Sequence, residues 1–230
     1  ARDIADSTKT LNVDGGTIKL DGNYPTGSNN VALGDTALDS VASDGNYNTA
    51  IGHASLTANT TGDTNSALGR ESLLSNTTGS SNTALGYTAL LNNTTASDNT
   101  AVGYQALYAN TTASGSVAVG RASAASNTTG VNTSVGDYSL NSNTTGSNNT
   151  ALGKQALQLN TTASNNTAVG YQAGYSNTTG NAVGAFGAYA LNSNTTGAYN
   201  YAFGNSALQF NTTGANNTAL GDKSLLDNTT

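Results

Sequence analysis

Asn143-Thr144-Thr145-Gly146-Ser147-Asn148-Asn149-Thr150-Ala151-Leu152-Gly153-Lys154-Gln155-Ala156-Leu157-Gln158-Leu159 is one copy of a repeating unit, and the next copy begins at Asn160, 17 residues on. The Asn-Thr-Thr triplet starts at Asn59, Asn76, Asn93, Asn110, Asn127, Asn143, Asn160, Asn177, Asn194, Asn211 and Asn228. Every step is 17 residues except the one of 16 between Asn127 and Asn143. A second marker, the glycine that closes Ala-Leu-Gly or Ala-Val-Gly, runs from Gly34 to Gly221 on the same beat. So constant a period means that each copy fills one structural slot of a repeat architecture. Seventeen residues are too few for a pair of packed helices, which need roughly 33. They suit one coil of a parallel β-solenoid, with two short strands and two turns expected per coil. The fold class is therefore all-β, with about twelve coils over residues 28–230 and a rod about 55–60 Å long at ~4.8 Å per coil.

The columns of the repeat carry the finer expectations. The residue before the glycine is always apolar, from Leu33 and Ile51 through Leu152 to Phe203 and Leu220. Before it comes Ala in every copy but that of Ser134, and before that Thr in most copies. Alternation at period 2 puts Thr and Leu/Val on one face of the first strand and Ala on the other. The Leu/Val face is expected to point inward. After the glycine, the third residue is Ala or Ser and the fourth is nearly always Leu, with Ala124 and Gly174 as exceptions. This stretch is expected to form the second strand, with its Leu in the core. Glycine at the corner allows a positive φ or a close approach. Asn-Thr-Thr-Gly-Ser-Asn is turn chemistry, and stacking would align its asparagines into hydrogen-bonded ladders.

Residues 1–27 break the pattern. Lys9–Val13 and Thr17–Leu20 flank Asp14-Gly15-Gly16 and are expected to pair as a hairpin that caps the solenoid or connects it to an upstream module. The chain opens at Ala1 and stops at Asn228-Thr229-Thr230, the start of another copy, so it is read as part of a longer polypeptide.

Composition narrows the function. Only 9% of the residues are charged, and the formal net charge is −6. An acidic chain without a basic stripe does not suit nucleic acid. Cys is absent, so neither disulfides nor Cys-based metal sites are available. No apolar run is long enough for membrane insertion as a helix. The single histidine, His53, has no Ser/Asp set to work with, and the acidic residues do not fall in register as calcium-binding solenoids require. No cofactor is expected, and the chain is read as a non-enzyme. Thr is abundant, but a flat Thr-x-Thr ladder of the ice-binding kind is missing.

Two groups of residues could meet something outside the chain. Asn59, Asn76, Asn93, Asn110, Asn127, Asn143, Asn160, Asn177, Asn194 and Asn211 each head an N-x-Thr sequon, so they are candidate glycosylation sites. Further sequons begin at Asn92, Asn132, Asn148, Asn165 and Asn216. Tyr87, Tyr104 and Tyr171 follow the corner glycine in a column of varied residues and are candidate surface contacts for sugars.

Asn30-Val31-Ala32-Leu33-Gly34 and Ser116-Val117-Ala118-Val119-Gly120 resemble the repeat of the YadA-like heads of trimeric autotransporter adhesins. The resemblance covers roughly residues 28–230. This chain departs from it in its longer Asn-Thr-Thr turn and in the Thr that replaces Val in most copies. Asn99-Thr100-Ala101-Val102-Gly103-Tyr104-Gln105-Ala106-Leu107 is similar to tandem repeats of phage tail fibres and fibre-like surface proteins of aquatic microbes and their viruses. Gly16–Pro25 looks like tail-fibre lead-in sequence. The resemblance implies a left-handed β-roll, a homotrimer, and an extracellular, cell-surface or virion location. The function it implies is a fibre shaft or spacer. Two alternatives stand beside it: an adhesin surface that binds carbohydrate or a host receptor, and a glycosylated filament that stacks end to end.

Overall fold

The computed structural model describes residues 27–42 and 44–230. The expected hairpin at Lys9–Leu20 lies outside the described residues.

The described chain is a parallel β-solenoid of about eleven turns, with no helix among its described residues. Twelve short strands lie in chain order: β1 (Val31–Leu33), β2 (Thr49–Ile51), β3 (Ser66–Leu68), β4 (Thr83–Leu85), β5 (Thr100–Val102), β6 (Val117–Val119), β7 (Asn132–Val135), β8 (Asn149–Leu152), β9 (Thr167–Val169), β10 (Gly184–Phe186), β11 (Tyr201–Phe203) and β12 (Thr218–Leu220). They form one sheet, each strand pairing with the next copy of itself. The register never slips: Ala84 lies beside Ala101, Ala101 beside Ala118, and Leu85 beside Val102.

Each coil holds one strand, not the two expected. The stretch after the corner glycine is a run of turns in which the second and fourth residues are left-handed. Gln105 and Leu107 show it, with φ of 56° and 50°. The adjacent Ala and Leu of this run are both buried, as at Ala106 and Leu107, which the period-2 alternation of a strand would not allow. A left-handed Leu costs roughly 1–2 kcal/mol. Two gains offset this. Burying a Leu side chain is worth about 1.5–3 kcal/mol, and its N–H donates to the next coil, as from Leu90 to the Ala106 carbonyl at 3.0 Å.

The core is narrow and made of small residues. Its knobs are the post-glycine leucines, fully buried at Leu38, Leu56, Leu73, Leu90, Leu107, Leu140, Leu157, Leu191 and Leu208. Facing them are the strand alanines, such as Ala101 and Ala151, and the Ala/Ser column that includes Ala106 and Ala156. The expected inward Leu/Val column is a correction. Ala151 is buried, while Leu152 beside it is 48% exposed. A coil this thin has room for a methyl group under the strand, not for a second branched side chain.

The corner glycines are obligatory. Gly86 has φ of +137°, and a Cβ there would sit 2.6 Å from the Gly103 carbonyl oxygen of the next coil. Gly86→Ala is expected to destabilise the stack by at least ~2 kcal/mol, since strain and steric overlap act together. Thermal unfolding followed by circular dichroism reads this out, and an unchanged midpoint would place the close approach elsewhere.

Candidate interaction surface

The asparagine ladders come first, because they decide which side chains are free. From Asn76 to Asn211 the Asn amide of each triplet donates twice. Asn160 Nδ2 reaches Asn143 Oδ1 at 2.8 Å and the Ala163 carbonyl at 3.0 Å. The ladder runs without a gap from Asn59 to Asn228. A second ladder uses the residue before the strand: the N–H of Asn65 donates to Asn48 Oδ1 at 2.9 Å, and Asn48 Nδ2 donates to the Gly62 carbonyl at 2.8 Å. The first Thr of each triplet adds a third, with Thr144 Oγ1 donating to the Thr161 carbonyl at 3.1 Å.

These bonds reassign the proposed glycan sites. Asn59, Asn76, Asn93, Asn110, Asn127, Asn143, Asn160, Asn177, Asn194 and Asn211 are all 0% exposed. The nitrogen that would carry a sugar is spent on the interior ladder, and a glycan there cannot coexist with the folded stack. Asn132 is buried as well. Of the other sequons, Asn148, Asn165 and Asn216 stand on the surface in left-handed turns, with φ of 59°, 61° and 60°.

The tyrosines of the corner column lie outside. Tyr87, Tyr104 and Tyr171 are exposed. Tyr87 and Tyr104, one coil apart, stack with ring centres 5.6 Å apart and planes 22° from parallel. The Arg70 guanidinium sits 5.6 Å from the Tyr87 ring centre, while Arg70 also pairs with Glu71 at 2.9 Å. Tyr171 meets Tyr189 edge-on at 5.2 Å. The three tyrosines are therefore not one platform: Tyr171 lies four coils from Tyr104. Tyr87 and Tyr104 also cover the ring faces they turn to each other. His53 is exposed in the same column.

The largest continuous feature is the outer face of the sheet, where sequence reasoning had placed core. One outward column holds Thr49, Ser66, Thr83, Thr100 and their equivalents, and the other holds Leu33, Ile51, Leu68, Leu85 and theirs to Leu220. Ile51, Leu68 and Leu85 wall an open apolar groove floored by Ala67 and Ala84. Phe186 and Phe203 stack with centres 4.7 Å apart and planes 3° from parallel. Gly184 leaves a hollow in the Thr column that the neighbouring Tyr201 ring covers. A Cβ at Gly184 would lie 2.8 Å from Tyr201 Cδ1. None of the twelve strands carries a charged residue.

Area shows the weight of this face. Twelve strands at ~4.8 Å with two side-chain columns present on the order of 500–600 Å². About half of it is the Leu/Ile/Val/Phe column, which alone is comparable with the lower end of the largest apolar patch on an ordinary monomer, about 300–600 Å².

Charged residues at the corner beside this face include Arg70, Arg121, Asp137 and Lys154. Arg121 bonds Asp137 of the next coil through both nitrogen–oxygen pairs, at 2.8 and 3.1 Å. That hydrogen bond holds the Asp137 carboxyl below the usual carboxylate range.

No protein-family model, curated protein or solved structure matches the chain.

Proposed function

We propose that this chain is a structural, non-enzymatic segment of an extracellular or virion fibre, of tail-fibre or adhesin type, and serves as a shaft or spacer. Its copies associate as homotrimers through the outer sheet face, each chain contributing one coil to every layer of a left-handed β-roll. The observation that carries this reading is the uncharged Thr–Leu/Val face that runs unbroken along twelve strands. A continuous apolar column of this length is costly to leave in water, and a face without charges meets its own copy without a desolvated ion. Two further features support a shaft. The backbone and side-chain ladders run parallel to the rod axis, so load along the axis is shared by many hydrogen bonds. The surface away from the sheet is mostly Asn, Ser and Thr, whose small hydroxyls and amides keep it hydrated.

The test is the native mass of the intact protein, by light scattering on a size-exclusion column. Three chains per particle is the expected result. A single-chain mass across the micromolar range would sink the association, and a polydisperse, very large mass would favour an end-to-end filament.

A further inference from the structure

We infer that the rod carries one built-in hinge, between the coils that begin at Asn110 and Asn127, open on the Asn-Thr-Thr edge and held on the sheet edge. All four side-chain ladders slacken or stop together at this interface; between the coils that begin at Asn177 and Asn194 two of them stop, at Val183 and Ala198, while the Asn and Thr ladders stay short at 2.8 and 3.0 Å. In the Asn ladder the Asn127 Nδ2 to Asn110 Oδ1 bond is 3.4 Å, against 2.8–3.1 Å at every other step. In the Thr ladder the longest bond is Thr111 Oγ1 to the Thr128 carbonyl, at 3.3 Å. The ladder before the strand loses its amide, because Ser116 stands in the Asn column. The Asn132 N–H reaches only Ser116 Oγ, at 3.4 Å. A further ladder runs from the Ser80 N–H to Ser97 Oγ and from the Ser97 N–H to Ser114 Oγ, and the next position is Val131, which has no oxygen to offer.

The short step of the repeat falls here too. Gly146-Ser147-Asn148-Asn149 is matched by Gly130-Val131-Asn132, so the missing residue is the left-handed one. Its N–H normally donates to the coil before, as Gly115 does to the Ser97 carbonyl at 3.0 Å. In the coil that begins at Asn127 the donor for Ser114 does not exist. A surface notch between Gly115, Val131, Asn132 and Asn148 marks the gap.

The core thins at the same place. Ala124 replaces a buried Leu, and Ser134 replaces a strand Ala. The Ser123, Ser134 and Ser139 hydroxyls satisfy one another at 2.7–3.1 Å, but they bury little apolar surface.

The opposite edge is intact. β6 and β7 keep full register, the Gly136 N–H donates to the Val119 carbonyl at 2.7 Å, and the Tyr138 N–H donates to the Arg121 carbonyl at 2.9 Å. The two-bond Arg121–Asp137 pair spans the same two coils, and the Arg121 guanidinium lies 4.7 Å from the Tyr138 ring centre. Asn141 Nδ2 adds a bond back to the Ala122 carbonyl at 3.0 Å. In a repeat array, stability is set by each unit and its nearest neighbours, so one weak interface localises opening. With one edge slack and the other clamped, the rod bends here with its Asn-Thr-Thr edge on the convex side.

The other irregular coil makes a contrast. At Gly174 the Leu157 side chain closes the space, 3.0 Å from where a Cβ would sit, and the matching step of the Asn ladder, Asn177 Nδ2 to Asn160 Oδ1, is 3.1 Å against 3.4 Å at the hinge.

Hydrogen exchange read by mass spectrometry on the intact chain tests the hinge, and it does so independently of how many chains associate, because it compares positions within one chain. Amides of residues 111–116 and 128–132 are expected to exchange at least ~10-fold faster than their equivalents at 144–149 and 178–183, as local opening requires. Gly136 and Tyr138 are expected to stay as protected as Gly153 and Gln155. Equal rates in all coils, fastest exchange near Gly174, or loss of protection on the β6–β7 side as well would overturn the hinge. A repaired chain carries Ser116→Asn, Ala124→Leu and an asparagine inserted between Val131 and Asn132. Its exchange at 111–132 is expected to fall to that of neighbouring coils, and an unchanged rate would likewise overturn the proposal.

Discussion

Leu107→Asp is expected to unfold the middle of the rod. Leu107 is fully buried between strand alanines, and nothing near it can pair a carboxylate. Burying an unpaired charge costs far more than one coil contributes. The gentler Leu107→Ala should cost about 2–5 kcal/mol, the usual toll of a truncated core leucine. Ala124 shows that the left-handed position itself accepts alanine, with φ of 49°, so this loss would come from packing and not from the backbone. The measurement is thermal unfolding followed by circular dichroism. A midpoint within a degree or two of the parent for both variants would mean that the post-glycine leucines are not the core.

Leu85→Asp combined with Leu152→Asp should do the opposite: leave the coil folded and separate the chains. Both side chains are exposed in the single chain, at 42% and 48%, so charge there costs the isolated solenoid little. If the sheet face is the seam between copies, each aspartate becomes a desolvated charge facing like charges. At ~3–5 kcal/mol for an uncompensated buried charge, association should weaken roughly 10²–10³-fold or more. The expected observation is an unchanged circular dichroism spectrum with the native mass of one chain. A native mass equal to the parent's would remove the sheet face from the interface. The pair of experiments therefore separates the two leucine columns, one holding each coil and the other proposed to hold coils of different chains together.

Much of the architecture was legible before any coordinate. The 17-residue beat means a solenoid because identical short units can satisfy their backbone only by stacking on copies of themselves. The invariant glycine marks a corner because only glycine lacks the Cβ that the next coil would strike. The repeated Asn implies ladders because a rise of ~4.8 Å puts equivalent side-chain amides within hydrogen-bond reach. The 16-residue step between Asn127 and Asn143 was visible as well, but its meaning was not. Only the lengths of bonds in several ladders show that the missing residue coincides with the slack edge.

The proposed interaction face was not legible, and the reason is geometric. Thr-Ala-Leu has two faces at period 2, and hydropathy favours the wrong one as core. Which face turns inward depends on the width of the coil, a distance between segments that no local pattern encodes. The Ala-Leu stretch after the glycine misled for a related reason: residue type does not show that alternate residues turn left-handed, which buries the neighbours Ala106 and Leu107 together. The sequons misled because a tripeptide names an amide without saying whether its nitrogen is already donating. Period, register and corner follow from residue type and spacing. Inside and outside, and the difference between a free asparagine and a spent one, follow from how closely the walls of one coil approach each other.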